Sequence, residues 1–109
     1  EFTARTGIPA YKFDVSDYDA TAAGIAKVEQ EIGPVDILVN NAGITRDGVL
    51  AKMTFEKWNK VLQTNLSSCF NTCHAVVGGM RDRGFGRIVN IGSMNGQAGQ
   101  YGQVNYAAA

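Results

Sequence analysis

The stretch Val35-Asp36-Ile37-Leu38-Val39-Asn40-Asn41-Ala42-Gly43 decides the fold. Its first five residues are rich in β-branched side chains and nearly unbroken in apolarity, as expected of a strand buried on both faces of a parallel sheet. Asn40 to Gly43 then closes the run in a turn. Parallel strands need helix-length crossovers, and both flanks supply them. Upstream, Ile8-Pro9-Ala10-Tyr11-Lys12-Phe13-Asp14-Val15 reads as a strand with proline at its start. Ser16 followed three residues later by Asp19 resembles a capping box. Ala22, Ile25, Ala26, Glu29 and Ile32 continue at helical spacing to Gly33-Pro34, which predicts a helix from about Asp17 to Glu31.

Downstream, Thr54 is the expected N-cap of a long helix, with Met53 and Trp58 at the two positions of a hydrophobic staple. Trp58, Val61, Leu62, Leu66, Cys69, Phe70, Cys73, Val76, Val77 and Met80 form one stripe, expected to be buried, and Arg81, Arg83 and Gly84 close the helix. Arg87-Ile88-Val89-Asn90-Ile91 is a third strand, followed by a glycine-rich loop from Gly92 to Gly102 and a further helix beginning near Asn105. The order β-α-β-α-β-α predicts an α/β protein: the central part of a Rossmann-like doubly wound parallel sheet, incomplete at both ends. No repeat, low-complexity tract or linker interrupts residues 1–109, which read as a single partial domain. Ligands of such sheets bind beyond the carboxyl ends of the strands. Asp14-Val15, Asn40 to Gly43 and Gly92-Ser93 are therefore expected to converge.

Composition narrows the function. The 109 residues carry ten Lys+Arg against ten Asp+Glu, so no long-range field recruits nucleic acid or an anionic membrane. Arg81, Asp82, Arg83 and Arg87 make too small a cluster for nucleic acid, though a basic rim of that kind suits the phosphates of a coenzyme A thioester. No run approaches the 18 or so apolar residues needed to span a bilayer, and Glu1 to Arg5 lacks an apolar signal core. Two cysteines cannot build a disulfide scaffold, which points to reduced thiols and a cytoplasmic location. Cys69-x3-Cys73-His74 reads as packing rather than a metal site, because both thiols belong to the apolar stripe.

Three residues stand out for chemistry. Asn65 occupies a slot in the apolar stripe between Leu62 and Leu66, where an amide needs hydrogen-bond partners. It either satisfies local backbone groups or feeds an active site. Ser93 lies just past a buried strand, and Tyr106 follows 13 residues later at the start of the last helical segment. Taken singly, such residues are more often turn and packing residues than catalysts.

Taken together with Asn40-Asn41-Ala42-Gly43, they resemble the short-chain dehydrogenase/reductase family, whose pattern includes an Asn-Asn-Ala-Gly turn, a helix asparagine and Ser-x12-Tyr-x3-Lys. The resemblance covers essentially the whole chain. It implies Tyr106 as the catalytic acid, Ser93 as the residue polarising a carbonyl, and Asn65 as the holder of a relay water. Asp14 and Val15 match contacts to the cofactor adenine, and Asn40, Ala42 and Gly43 match the turn bordering the adenosine; Tyr106 also contacts the cofactor. The family's lysine would be the residue directly after Ala109, and its glycine-rich turn would precede the first strand, so an interior fragment is expected. The fragment alone is expected neither to bind cofactor tightly nor to turn over.

Within the family, Gly43-Ile44-Thr45-Arg46-Asp47 and the run Asn95 to Tyr106, with its repeated Gly-Gln pairs, look most like the branch that reduces acetoacetyl-CoA with NADPH in polyhydroxybutyrate synthesis. That branch implies (R)-3-hydroxybutanoyl-CoA as product and Ser93, Gln100, Tyr101 and Gln103 as substrate contacts. It also implies a homotetramer in which the long helix helps form the interface. The neighbouring branch, which reduces 3-oxoacyl chains on acyl carrier protein, shares much of the pattern. A third reading, of another class, is a non-catalytic fold fragment or interaction module whose long-helix face seeks a partner.

Overall fold

The computed structural model describes residues 5–109. Glu1 to Ala4, part of the segment read for a signal core, lie outside the described residues. Helix α1 (Tyr18–Glu31) is followed by strand β1 (Ile37–Asn40) and a 3₁₀ turn (Leu50–Lys52). A helical stretch then runs as α2 (Phe55–Leu62), a π-helical turn (Gln63–Ser67) and α3 (Ser68–Arg83). Strand β2 (Arg87–Asn90) and two short helices, α4 (Met94–Ala98) and α5 (Val104–Ala108), complete the chain.

β1 and β2 pair in parallel, with Ile37 opposite Arg87 and Asn40 opposite Asn90. At the end of this register the two asparagine side chains meet, Asn40 Nδ2 donating to Asn90 Oδ1 at 2.8 Å. The crossover is the long helix, as expected. The first strand is a correction: Ile8 to Val15 forms no ladder, and the described sheet has two strands. A strand exists only through a partner for its backbone groups, and no described strand lies beside this segment. The β-α-β-α-β-α order is thus realised in all but its first strand, as α-β-α-β-α.

The cap of α1 also differs from expectation. Asp17 is the N-cap, its side chain accepting from Ala20 N–H, while Ser16 donates through both its amide and its hydroxyl to Asp14 Oδ1. A free carboxylate takes both Ser16 donors, which leaves Asp17 next in line for the orphan helix amides. Thr54 caps α2 as predicted, accepting from Lys57 N–H at 3.2 Å. α3 ends at Gly84, whose φ of +70° is left-handed; Phe85 N–H returns to the Met80 carbonyl, closing the helix as glycine C-caps do. Arg83 then reaches the start of β1, donating to the Val35 carbonyl at 2.8 Å beside Asp36.

The core lies between α1, α3 and β1. Ile25, Val76 and Met80 are buried, with Phe13, Val35, Leu38 and Ala75 packed against them. The expected continuous stripe is a second correction, since Leu66, Phe70 and Val77 face outward while Ser68, Asn71 and Thr72 are buried. Two causes act together. A π turn takes an extra residue, so a stripe read on a strict helical period slips in phase across it. The inward polar groups are also satisfied: Asn71 Nδ2 donates to the Val15 carbonyl and Thr72 Oγ1 to Asn40 Oδ1. β1 is also less enclosed than its composition predicts, with Ile37 and Val39 more than half exposed. Among the described residues no helix is long and apolar enough to cross a membrane.

Candidate active site

Asn71 and Thr72, consecutive on α3, hold two of the three segment ends that the sequence expected to meet. Asn71 grips Val15 and Thr72 grips Asn40. Beyond the ends of β1 and β2 a pocket of about 430 Å³ opens, within the range of small-molecule sites. Asn65, Ser93 and Tyr106 all line it, together with Ala42 and Gly43.

Each of the three is placed by a distinct local device. Asn65 sits in the π turn, a geometry found at functional positions of helices. Its side chain grips the backbone of Ile44 at both ends: Oδ1 accepts Ile44 N–H at 2.8 Å, and Nδ2 donates to the Ile44 carbonyl at 2.9 Å. The side chain thus satisfies local backbone groups, the first of the two readings of Asn65, from a position in the pocket wall. Ser93 is the N-cap of α4, its Oγ accepting from Asn95 N–H at 3.2 Å. The accepted bond leaves the hydroxyl proton for a donor role toward the pocket. Tyr106 stands in α5, its N–H bonded to Asn105 Oδ1 at 2.8 Å.

Glycines leave part of the remaining wall without side chains. A Cβ added at Gly92 would meet nothing within 4 Å, and one at Gly43 would touch only Asn65, at 3.7 Å or more. The ledge can therefore take a flat ring against main-chain atoms.

Other expected site residues lie off the lining. Asn40 is half-buried beneath it, tied to Thr72 and Asn90. Asp14 accepts both Ser16 donors, and these bonds hold its carboxyl below the usual carboxylate range; Lys60 adds a smaller push in the same direction. Val15 offers its carbonyl to Asn71. Gln100 is exposed and Tyr101 is 89% exposed. Gln103 is buried, its Nε2 donating to Asp47 Oδ1 at 3.2 Å and its Oε1 accepting from Asn95 Nδ2 at 3.0 Å. The thiols of Cys69 and Cys73 turn to the Asn65 carbonyl and Asn40 Nδ2, whereas His74 pairs with the Tyr18 hydroxyl. Arg87 begins β2 and lies over the Phe85 ring, so the arginine cluster sits at the opposite end of the sheet from Ser93 and is not the rim of this pocket.

Sequence reading missed Asn105, which is fully buried beside Tyr106, and the Asn71–Thr72 pair. Position next to Tyr106 was the available signal for the first. The buried polar pair carried none, because isolated amides and hydroxyls on a helix look like solvated residues.

Asn65, Ser93 and Tyr106 thus share one pocket beyond the strand ends of a parallel crossover. The chain belongs to the short-chain dehydrogenase family, whose model matches residues 2–109. Over 108 residues it is 64% identical to the acetoacetyl-CoA reductase of Rhizobium meliloti (strain 1021) and 61% identical to that of Paracoccus denitrificans; each match covers 99% of this chain and 45% of the relative. It is 49% identical over 96 residues to the 3-oxoacyl-[acyl-carrier-protein] reductase FabG of Escherichia coli (strain K12), covering 88% of this chain and 39% of that protein. The chain spans less than half the length of these relatives.

Proposed function

We propose that the whole protein reduces the 3-carbonyl of acetoacetyl-CoA to (R)-3-hydroxybutanoyl-CoA with NADPH, as in polyhydroxybutyrate synthesis, in the cytoplasm and as a homotetramer. The observation that carries the reading is the meeting of Asn65, Ser93 and Tyr106 on one pocket. The 64% and 61% identity to the Rhizobium meliloti and Paracoccus denitrificans acetoacetyl-CoA reductases, against 49% to the E. coli acyl-carrier-protein reductase, favours the short coenzyme A substrate.

The residues present fit a nicotinamide cofactor, because Gly92 leaves room for a flat ring beside Ser93 and Tyr106, with Ala42 and Gly43 along the same wall for the adenosine side. When bound, NADPH supplies the hydride taken up by the carbonyl carbon. Ser93 holds the carbonyl oxygen through its free hydroxyl proton and polarises it. Tyr106 delivers its phenolic proton to that oxygen as negative charge builds there, which balances hydride plus proton against the new alcohol. A phenol with a pKa of about 10 needs a neighbouring cation to cycle near neutrality; the lysine of the family pattern, four residues after the tyrosine, fills that role. The Asn65 amide is already bonded to Ile44, so a relay water uses its remaining lone pair or its main-chain carbonyl. Asp14 and Val15, at the neighbouring strand end, are assigned to the adenine. Gln100 and Tyr101, exposed on the loop ahead of Tyr106, are assigned to the acyl chain, and Gln103 supports that loop.

Steady-state assays of the whole protein test this. Acetoacetyl-CoA with NADPH is expected to give a higher kcat/KM than longer 3-oxoacyl-carrier substrates or NADH, and Tyr106→Phe is expected to lower kcat about 100-fold or more with NADPH binding retained. Preference for long acyl-carrier chains transfers the protein to the neighbouring branch.

A further inference from the structure

We infer that Asn105 is a positioning residue that fixes Tyr106 relative to Asn65, an assignment resting on the catalytic reading above. Asn105 is fully buried, and its amide is committed on every side. Oδ1 accepts the N–H of Tyr106 at 2.8 Å, while Nδ2 donates to the Arg46 carbonyl at 2.9 Å and to the Lys57 carbonyl at 3.3 Å. A buried amide with both donors and an acceptor matched specifies one arrangement, because any other leaves polar groups unpaired.

The bond to Arg46 matters because of what else holds that loop. Two residues earlier, Ile44 is gripped through its N–H and carbonyl by Asn65. Two residues later, Gly48 N–H donates to the Gly102 carbonyl at 2.8 Å. The segment from Ile44 to Gly48 is therefore a strut, with Asn65 tied to one end and the segment carrying Tyr106 tied to its middle and far end. Helix α5 could not hold the tyrosine alone: it has five residues, and its N-cap Gln103 makes no side-chain cap bond. Asn105 caps the Tyr106 amide and links it to the strut in one side chain.

The test uses the whole protein with Asn105→Asp, Asn105→Ser and Asn105→Ala. The aspartate substitution keeps the shape and the acceptor for Tyr106 N–H but removes both donors; the serine substitution retains a single short donor. Readouts are kcat and KM with acetoacetyl-CoA, the kcat–pH profile, NADPH affinity by nicotinamide fluorescence, and Tm. Misplacement of an acid by a fraction of an ångström to an ångström predicts kcat lower by about 10- to 100-fold, with cofactor affinity changed less than about threefold. Asn105→Asp is further expected to move the kcat–pH limb of the tyrosine. Unchanged kcat and pH profile in folded Asn105→Asp or Asn105→Ser overturns the assignment. Parallel loss of kcat, cofactor affinity and Tm also overturns it, as the mark of a merely structural role. A parent protein inactive on every 3-oxoacyl thioester is a separate result that removes the functional reading and this assignment with it.

Discussion

Asn65→Asp separates the two halves of the grip on Ile44. The substitution keeps an acceptor for Ile44 N–H, 2.8 Å away, but sets a second oxygen against the Ile44 carbonyl where Nδ2 now donates at 2.9 Å. One hydrogen bond disappears, costing about 1 kcal/mol, and two half-buried oxygens are forced together without a proton, costing about 1–2 kcal/mol more. The total of about 2–3 kcal/mol applies while the introduced carboxyl is ionised. Once protonated, that carboxyl donates to the carbonyl again and restores the bond. The facing carbonyl raises the carboxyl's folded-state pKa above its unfolded value of about 3.9. The variant's relative stability is therefore full below the unfolded pKa and lost as pH rises through the folded one. Urea unfolding of parent and variant from pH 4 to 8 reads this directly as a gap that widens with pH. Asn65→Ala lacks the titrating group and is expected to show a deficit independent of pH. A gap that stays flat, or no deficit at pH 8, refutes the reasoning.

Two further perturbations follow from geometry elsewhere. Gly24→Ala places a Cβ 2.6 Å from Phe13 Cε1 and 2.7 Å from Cγ, an overpacking worth about 1–3 kcal/mol; calorimetry is expected to show a lower Tm, recovered when Phe13→Leu is added. Ser16→Ala removes the hydroxyl donor to Asp14 and keeps the main-chain one. Because the folded pKa of Asp14 is lowered, the stability gap to the parent is expected to be full at neutral pH and to close as pH falls through that lowered value; a gap constant down to pH 2.5 in urea titrations contradicts the assignment.

The local elements were legible wherever one chemical signal dominated. Thr54 needed only its own hydroxyl and an orphan amide, and Gly84 only its missing Cβ. Ile8 to Val15 has the composition of a strand, but composition does not supply a ladder partner, so the segment stays unpaired. The long-helix stripe failed at a π turn that no residue type announces. For the site, the spacing of Ser93 and Tyr106 and the odd polar residue Asn65 located three side chains that meet in one pocket. The loop glutamines were harder to place: they share one composition, yet Gln100 is exposed and Gln103 is locked between Asp47 and Asn95. Which of two identical amides turns inward depends on partners distant in the chain.

The amide rung between Asn40 and Asn90 has a consequence for folding as well as for architecture. Ile37-Leu38-Val39 and Ile88-Val89 are interchangeable greasy teeth, and a sheet of four-residue strands could mesh in several offsets at similar cost. Sliding by one residue turns Asn40 to the wrong face; sliding by two leaves both amides opposite partners that cannot answer them. A single polar pair at the end of the zipper thus works as a parity check on the register that the pocket is built upon.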